Sequence, residues 1–135
     1  MAANPLKDYT MPYKKGQLVF ADQDLGTEMY IVGAGRVEIF KERGGQEVIL
    51  ATLEKGDFFG EMSLLEGLPR SASARCAEDS EIIEINGMTF DKMIKSNIEV
   101  AVRMLRKLSI RLRDVSGKYE SLLEEIDKIR HAPAE

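Results

Sequence analysis

A glycine, a carboxylate and an arginine that lie close together in the sequence could bind a phosphorylated ligand. Gly60 lets the backbone approach a ligand closely, and residues 61–65 are predicted to form a short helix whose first N–H groups attract an anion. Arg70 supplies a planar, permanently charged fork that suits two phosphate oxygens. Glu61, when ionised, only accepts hydrogen bonds, which suits a sugar hydroxyl. A phosphate end and a hydroxyl end together describe a nucleotide.

The residues that follow indicate where this short helix stops. Gly67 suits the left-handed residue that closes a helix, and Pro69 prevents its continuation. A plainer interpretation is a turn–helix–turn in which Glu61 and Arg70 only neutralise each other at the surface. Any one of these features alone fits that interpretation.

Residues 56–74 resemble the phosphate-binding cassette of the cyclic nucleotide-binding domain family. That family's pattern reads Phe-Gly-Glu, an aliphatic residue, Ala or Ser, and Leu, followed after a few residues by Pro-Arg, then Ala, Ser or Thr, then Ala. Residues 59–64 and 69–72 match it at every fixed position. The chain is therefore similar to the sensor domains of bacterial catabolite activator proteins and of protein kinase A regulatory subunits.

The resemblance implies a cyclic nucleotide as ligand, with cyclic AMP favoured over cyclic GMP. Arg70 would pair with the cyclic phosphate, Glu61 would accept from the ribose 2′-hydroxyl, and Ser71 would donate to the phosphate or the base. In the catabolite-activator branch, polar residues of the long dimer helix reach the purine, and Ser116 holds such a position, although its neighbour Val115 is apolar. The predicted ligand-binding residues are Phe59, Gly60, Glu61, Met62, Ser63, Arg70, Ser71, Ala72 and Ser116.

Short segments separated by glycine turns surround the cassette and predict a β-rich domain. Strands are predicted over residues 9–13, 17–21, 29–33, 36–42, 47–53, 71–77 and 81–85. The alternation of Val37 and Ile39 with Glu38 and Phe40 is typical of a half-buried antiparallel strand. This spacing predicts a β-sandwich or jelly roll. The resemblance implies an eight-stranded antiparallel jelly roll, a double-stranded β-helix, over residues 9–95 after an N-terminal arm at 1–8.

Two helices are predicted after the last strand. Asn86 is a plausible cap for a helix over residues 89–95, and residues 96–99, Ser-Asn-Ile-Glu, form a capping box that opens a long helix over 96–131. Apolar residues recur along the long helix at alternating gaps of three and four, which is a heptad repeat. A single amphipathic helix lying on its own sandwich is the alternative, but beyond Val115 the stripe narrows to a seam. We expect a homodimer through Leu105, Leu108, Leu112, Val115, Tyr119, Leu122, Ile126 and Ile129.

The composition excludes several classes of function. The 135 residues, of which 44% are hydrophobic and 31% charged, predict one globular domain, and the net charge of −4 argues against a general nucleic-acid or membrane surface. Cys76 and His131 are the only residues of their types, so we expect no metal site and no cofactor. Without a Ser-His or Cys-His pair we expect no enzyme. No apolar run approaches the roughly 20 residues of a membrane helix, and no signal peptide is recognisable, which indicates a cytoplasmic protein.

The long helix is predicted to end near Arg130, and five residues follow it. We therefore expect no direct DNA binding by this chain. The output would act in trans, through an unknown protein partner, unless the chain is a fragment of a longer regulator. The competing hypothesis is a dimeric interaction scaffold that keeps the fold but has lost its ligand. Intact Gly60, Glu61 and Arg70 argue against that scaffold.

Overall fold

The computed structural model describes residues 7–131, in which β-strands precede two C-terminal helices. A 3₁₀ turn at Lys7–Tyr9 leads into eight strands and three helices. The strands are β1 (Thr10–Tyr13), β2 (Leu18–Phe20), β3 (Met29–Ala34), β4 (Arg36–Arg43), β5 (Gln46–Glu54), β6 (Phe58–Phe59), β7 (Ser73–Cys76) and β8 (Ser80–Ile85). The helices are α1 (Glu61–Glu66), between β6 and β7, and then α2 (Gly87–Ser96) and α3 (Ile98–Arg130).

The strands form two four-stranded antiparallel sheets, with the orders β1-β8-β3-β6 and β2-β7-β4-β5. The chain passes repeatedly from one sheet to the other, so neighbours in sequence often lie in different sheets. Inward-facing side chains of both sheets meet in one apolar core that consists of Tyr30, Val32, Val37, Leu53, Phe59, Ala74, Cys76 and Ile82. The predicted fold class, an eight-stranded antiparallel jelly roll followed by a long helix, is confirmed.

The hairpin of β4 and β5 shows where the alternating pattern holds and where it stops. Val37 and Phe40 are both buried, because the register shifts at a β-bulge between Ile39 and Phe40. The guanidinium carbon of Arg75 lies 4.3 Å from the centroid of the Phe40 ring. The turn residues Gly44 and Gly45 have φ angles of 59° and 80°, as a type I′ hairpin turn requires. The predicted turn is present, whereas the predicted alternation is broken at Phe40 by the bulge.

One predicted helix cap was wrong, and one strand was missed. The predicted capping box made Ser96 the first cap of the long helix, but Ser96 is the last residue of α2. Asn97 is the N-cap of α3, and its side chain accepts from the backbone N of Glu99 at 3.1 Å. An extended Asn97 (φ −153°, ψ 97°) interrupts the helical backbone here, so the cap moves one residue along. The sequence analysis also missed β6, whose two residues are too few to show a periodicity.

The contacts divide the described residues into two compact units, one that ends at Phe90 and one that begins at Asp91. In the second unit, α3 has 33 residues, which corresponds to about 50 Å at 1.5 Å per residue. Seven of the eight predicted dimer residues on α3 are between 44% and 77% exposed. No helix among residues 7–131 is both long enough and apolar enough to cross a membrane.

Candidate ligand-binding site

Strands β3 and β6 place the start of the cassette. Tyr30 pairs with Phe59 and Ile31 with Phe58, so the chain leaves β6 beside the beginning of β3. Gly60 then turns the chain with a φ of 77°, a left-handed conformation that favours glycine. Helix α1 follows at once, so the predicted cassette helix is confirmed and is one residue longer than expected.

The end of α1 and the segment after it are fixed by backbone hydrogen bonds. Gly67, with a φ of 69°, donates its N–H to the carbonyl of Ser63 at 3.0 Å and closes the helix as predicted. Further along, the N–H of Arg70 donates to the carbonyl of Asp24 at 2.9 Å, and the N–H of Gln23 donates to the carbonyl of Arg70 at 2.8 Å. These two bonds tie Arg70 to the loop between β2 and β3.

The side chain of Arg70 is buried, with 3% of its surface exposed. Its Nη1 donates to the carbonyl oxygen of Gly60 at 3.0 Å, and its Nη2 lies 3.6 Å from a carboxylate oxygen of Glu28. The guanidinium carbon lies 4.4 Å from the centroid of the Phe20 ring and 5.6 Å from that of Tyr30. A carbonyl, a carboxylate and two aromatic faces therefore hold this cation.

Two glycines make room for the guanidinium. A Cβ atom built on Gly26 would lie 2.6 Å from Nη2 of Arg70, and one built on Gly60 would lie 2.8 Å from Nη1. Real Cβ atoms do not approach other atoms so closely. A larger residue at either position would displace the charged end of Arg70.

Three aromatic rings lie beneath the arginine and join the site to the core. Phe20, Tyr30 and Phe59 contact one another with ring centroids 5.3 to 5.9 Å apart. Burial of the phenol, and next the nearby charge of Glu84, raise the pKa of Tyr30 to about 12, although the positive charge of Arg70 acts in the opposite direction. The arginine thus lies against an aromatic cluster that is continuous with the apolar core.

The predicted ligand-binding residues occupy different environments. The ring of Phe59 and the side chains of Ser63 and Ala72 are buried, whereas Met62 is half exposed. Ser71 is exposed, and Glu61 is partly exposed at the start of α1. The structure brings Gly60 and Arg70 into direct contact. Ser116 is an exposed residue of α3, in the second unit. The ligand contacts assigned to these residues stay predictions.

The comparisons with known proteins agree with this geometry. The family model for the cyclic nucleotide-binding domain matches residues 10–97, from the first residue of β1 to the N-cap of α3. The chain belongs to the cyclic nucleotide-binding domain family. The match covers both sheets and the cassette.

Members of the cyclic nucleotide-binding domain family from several organisms are similar to this chain. The cyclic AMP receptor protein of Thermus thermophilus is 37% identical over 123 residues, which is 90% of this chain and 57% of that protein. The crystal structure of the Thermus thermophilus catabolite activator protein superposes with a TM-score of 0.76 and 32% identity, over 94% of this chain and 66% of that one. The regulatory domain of Toxoplasma gondii PKA, crystallised with cAMP, gives a TM-score of 0.57 and 26% identity, over 62% of this chain and 32% of that one. The chain spans little more than half the length of the curated relatives it matches.

The sequence analysis missed four residues that surround the cassette arginine of this cyclic nucleotide-binding domain. Phe20, Glu28 and Tyr30 contact the guanidinium, and Gly26 leaves the space beside it. All four precede Arg70 by 40 residues or more in the sequence, so no local spacing could reveal them. The one available signal was Gly26, a glycine between the predicted strands at 17–21 and 29–33, which indicates a turn but not its contact with Arg70.

No group of three His, Cys, Asp or Glu side chains within residues 7–131 is arranged to hold a metal ion. Cys76 is buried in the core of the cyclic nucleotide-binding domain, where burial raises the pKa of its thiol while a hydrogen bond with Ser80 acts in the opposite direction. A raised pKa keeps this thiol protonated and unreactive at neutral pH.

Proposed function

We propose that the protein is a cytoplasmic, non-enzymatic sensor that binds a cyclic nucleotide, with cyclic AMP preferred over cyclic GMP. The observation that carries this proposal is the buried guanidinium of Arg70, fitted between two glycines within a cassette that matches the family pattern. A buried cation is expensive unless it is paired. An anionic ligand that reaches this arginine would find its binding partner already fixed in position.

Each end of the proposed ligand has a residue of matching chemistry. Arg70 would pair with the cyclic phosphate, because a guanidinium fork can donate to two phosphate oxygens. Glu61 would accept from the ribose 2′-hydroxyl, and Ser71, being exposed, would be accessible to a phosphate or a base. The backbone N–H groups near Gly60, Met62 and Ala72 would assist.

The preference for cyclic AMP rests on the relatives. The Thermus protein is named a cyclic AMP receptor protein, and the Toxoplasma regulatory domain was crystallised with cAMP. A hydroxyl at the position of Ser71 is compatible with either nucleotide. Competition between cyclic AMP and cyclic GMP for the same site measures the preference directly.

We propose that ligand binding is coupled to a homodimer formed through α3. The exposed apolar seam of α3 supports the dimer, because so many exposed apolar side chains in heptad spacing seek a second helix. A ligand can shift the arrangement of the protein only by as much as its affinity differs between two states. The shift in α3 would then act in trans on another protein.

Isothermal titration calorimetry of the full chain with cyclic AMP, cyclic GMP and 5′-AMP tests the proposal. The expected result is saturable binding of both cyclic nucleotides, tighter for cyclic AMP, and much weaker binding of 5′-AMP, whose phosphate is not cyclic. Tighter binding of cyclic GMP would reverse the proposed preference. Absence of heat and of any thermal shift with both cyclic nucleotides would instead favour the ligand-free scaffold.

A further inference from the structure

The guanidinium of Arg70 has both a hydrogen-bond acceptor and a countercharge within the protein itself. No buried side-chain nitrogen or oxygen among residues 7–131 lacks a hydrogen-bond partner. The countercharge of Arg70 comes from Glu28, whose carboxylate oxygen lies 3.6 Å from Nη2. The protein therefore already contains an anion beside the cation that we assign to the ligand phosphate.

The pairing of β3 with β6 explains why Glu28 reaches this arginine. Glu28 immediately precedes β3, and its carbonyl oxygen would lie 3.4 Å from a Cβ atom built on Gly60. The residue that turns the cassette and the residue that starts β3 are thus neighbours. The Glu28 carboxylate also accepts from the N–H of Thr27 at 3.2 Å, which directs it back toward the site.

The contacts of Arg70 differ in how easily they can be exchanged. The carbonyl of Gly60 is part of the backbone, and the ring of Phe20 packs against the core, so neither is a charged group that can rotate away from the guanidinium. The side chain of Glu28 is 32% exposed and can rotate into water. Its distance of 3.6 Å is also longer than the about 2.7–2.9 Å of a strong charge-assisted hydrogen bond.

We propose that Glu28 is a built-in competitor of the ligand: its carboxylate neutralises Arg70 in the ligand-free protein, and the phosphate of the cyclic nucleotide must displace it. This inference rests on the proposed function. Glu28 would then set the affinity for the ligand. Breaking the Glu28–Arg70 pair costs free energy, and this cost reduces the net free energy of ligand binding. Arg70 does not need Glu28 for its position, since Gly60 and Phe20 supply it.

The test is the dissociation constant of cyclic AMP for the full chain and for the Glu28→Gln variant. Glutamine keeps the size of the side chain and can still accept from Thr27, but it removes the charge. We expect the variant to bind roughly 3- to 30-fold more tightly, because a carboxylate near a bound phosphate repels it at short range. Glu42→Gln, an exposed position in the hairpin of the other sheet, changes the net charge equally and is expected to leave the constant unchanged.

Unchanged or weaker binding by Glu28→Gln, beside a wild-type protein that binds, would overturn the competitor role and make Glu28 a positioning residue or a bystander. Thermal unfolding without ligand verifies that the variant is folded. If it is not, Glu28→Ala, which also removes the charge, is judged by the same criterion. If neither the wild type nor the variant binds a cyclic nucleotide, the proposed function fails. Binding by the variant alone would support the competitor in its strongest form.

Discussion

The guanidinium carbon of Arg70 lies 4.4 Å from the centre of the Phe20 ring, although 50 residues separate the two in the sequence. This contact joins the cassette to β2, the strand that precedes the loop carrying Gly26 and Glu28. A cation over an aromatic face contributes about 0.5–2 kcal/mol, more where water is excluded. The position of the Arg70 charge therefore depends on other strands of the jelly roll as well as on the cassette.

The Gly26→Ala substitution tests whether the space beside Arg70 matters for binding. The new methyl group would lie 2.6 Å from Nη2, so the guanidinium must move while the backbone at Gly26 remains acceptable. We expect the affinity for cyclic AMP to fall by about 1–2 kcal/mol, which is part of the roughly 1.5–3 kcal/mol that a hydrogen bond to a charged group contributes. Calorimetric titration measures the change.

Gly87→Ala is the matched control, because a Cβ at Gly87 has nothing within 4 Å. It should bind cyclic AMP as the wild type does. Equal affinities for the wild type and Gly26→Ala would show that the close fit around Arg70 is irrelevant to binding.

Stability at high pH should depend on Tyr30. The ordinary pKa of a tyrosine is 10.0, and in the folded protein the pKa of Tyr30 is raised to about 12, mainly by burial. Between pH 10 and pH 12 the folded state therefore keeps a proton that the unfolded chain releases. The contribution of the neutral Tyr30 side chain to the free energy of unfolding is complete below pH 10 and is lost as the pH rises to 12. Between pH 10 and pH 12 we expect the free energy of unfolding of the wild type to fall by about 2–3 kcal/mol more than that of Tyr30→Phe.

Denaturant unfolding at a series of pH values measures this loss. Tyr119→Phe, on α3, is the control, because the Tyr119 residue is 63% exposed. Removing this hydroxyl should leave the loss of stability between pH 10 and pH 12 unchanged. Parallel declines in the wild type and in Tyr30→Phe would mean that Tyr30 is not protected in the folded state.

Much of the fold could be predicted from local sequence. The Gly44-Gly45 turn and the glycine that ends α1 each report a local backbone requirement, and both are present. The alternation in β4 stops at Phe40, which is buried although it was predicted on the polar face. β6 was missed because two residues carry no pattern. The irregular register between β4 and β5 was missed because the pairing of Ile39 with Ala51 and of Phe40 with Ile49 leaves Leu50 as an extra residue, which only the partner strand reveals.

The candidate site also has one part that local sequence predicts and another part that it does not. The cassette residues are contiguous, so Gly60 and Arg70 could be identified from their types and spacing. The partners of Arg70 could not, because β2, the loop after it and the start of β3 reach the cassette only when the sheets form. The contact between Glu28 and Arg70 is a property of the pairing of β3 with β6, which no local pattern encodes.

Gly117 and Gly45 should respond oppositely to alanine. Neither has any atom within 4 Å of a built Cβ, but Gly117 is helical whereas Gly45 has a φ of 80°. Gly117→Ala should raise the free energy of unfolding of α3 by up to about 1 kcal/mol. Gly45→Ala should lower that of the β-roll by about 1 kcal/mol, because alanine disfavours a left-handed turn. Thermal unfolding followed by circular dichroism measures both changes, and equal signs would contradict the explanation.

The seam of α3 should hold two chains together. At micromolar concentration, light scattering should give about twice the chain mass of 15.1 kDa. Leu112→Glu places a carboxylate on the seam of each copy, and we expect at least tenfold weaker association, roughly 1.4 kcal/mol.

Ile110→Glu provides the control for the seam. Ile110 is also an exposed apolar residue of α3, at 51%, but it lies on the outer face of the heptad. The Ile110→Glu substitution should leave the dimer intact. A mass of 15 kDa for the wild type, or equal effects of the two substitutions, would exclude the seam as the interface.

Equilibrium binding of cyclic AMP and cyclic GMP to the wild type and to Arg70→Ala tests the central claim most directly. The account predicts saturable binding to the wild type and a loss of about 1.5–3 kcal/mol in the variant, the cost of removing a hydrogen bond to a charged group. Circular dichroism establishes that Arg70→Ala remains folded. No binding of either nucleotide to the wild type, or identical affinities for the two proteins, would contradict the account.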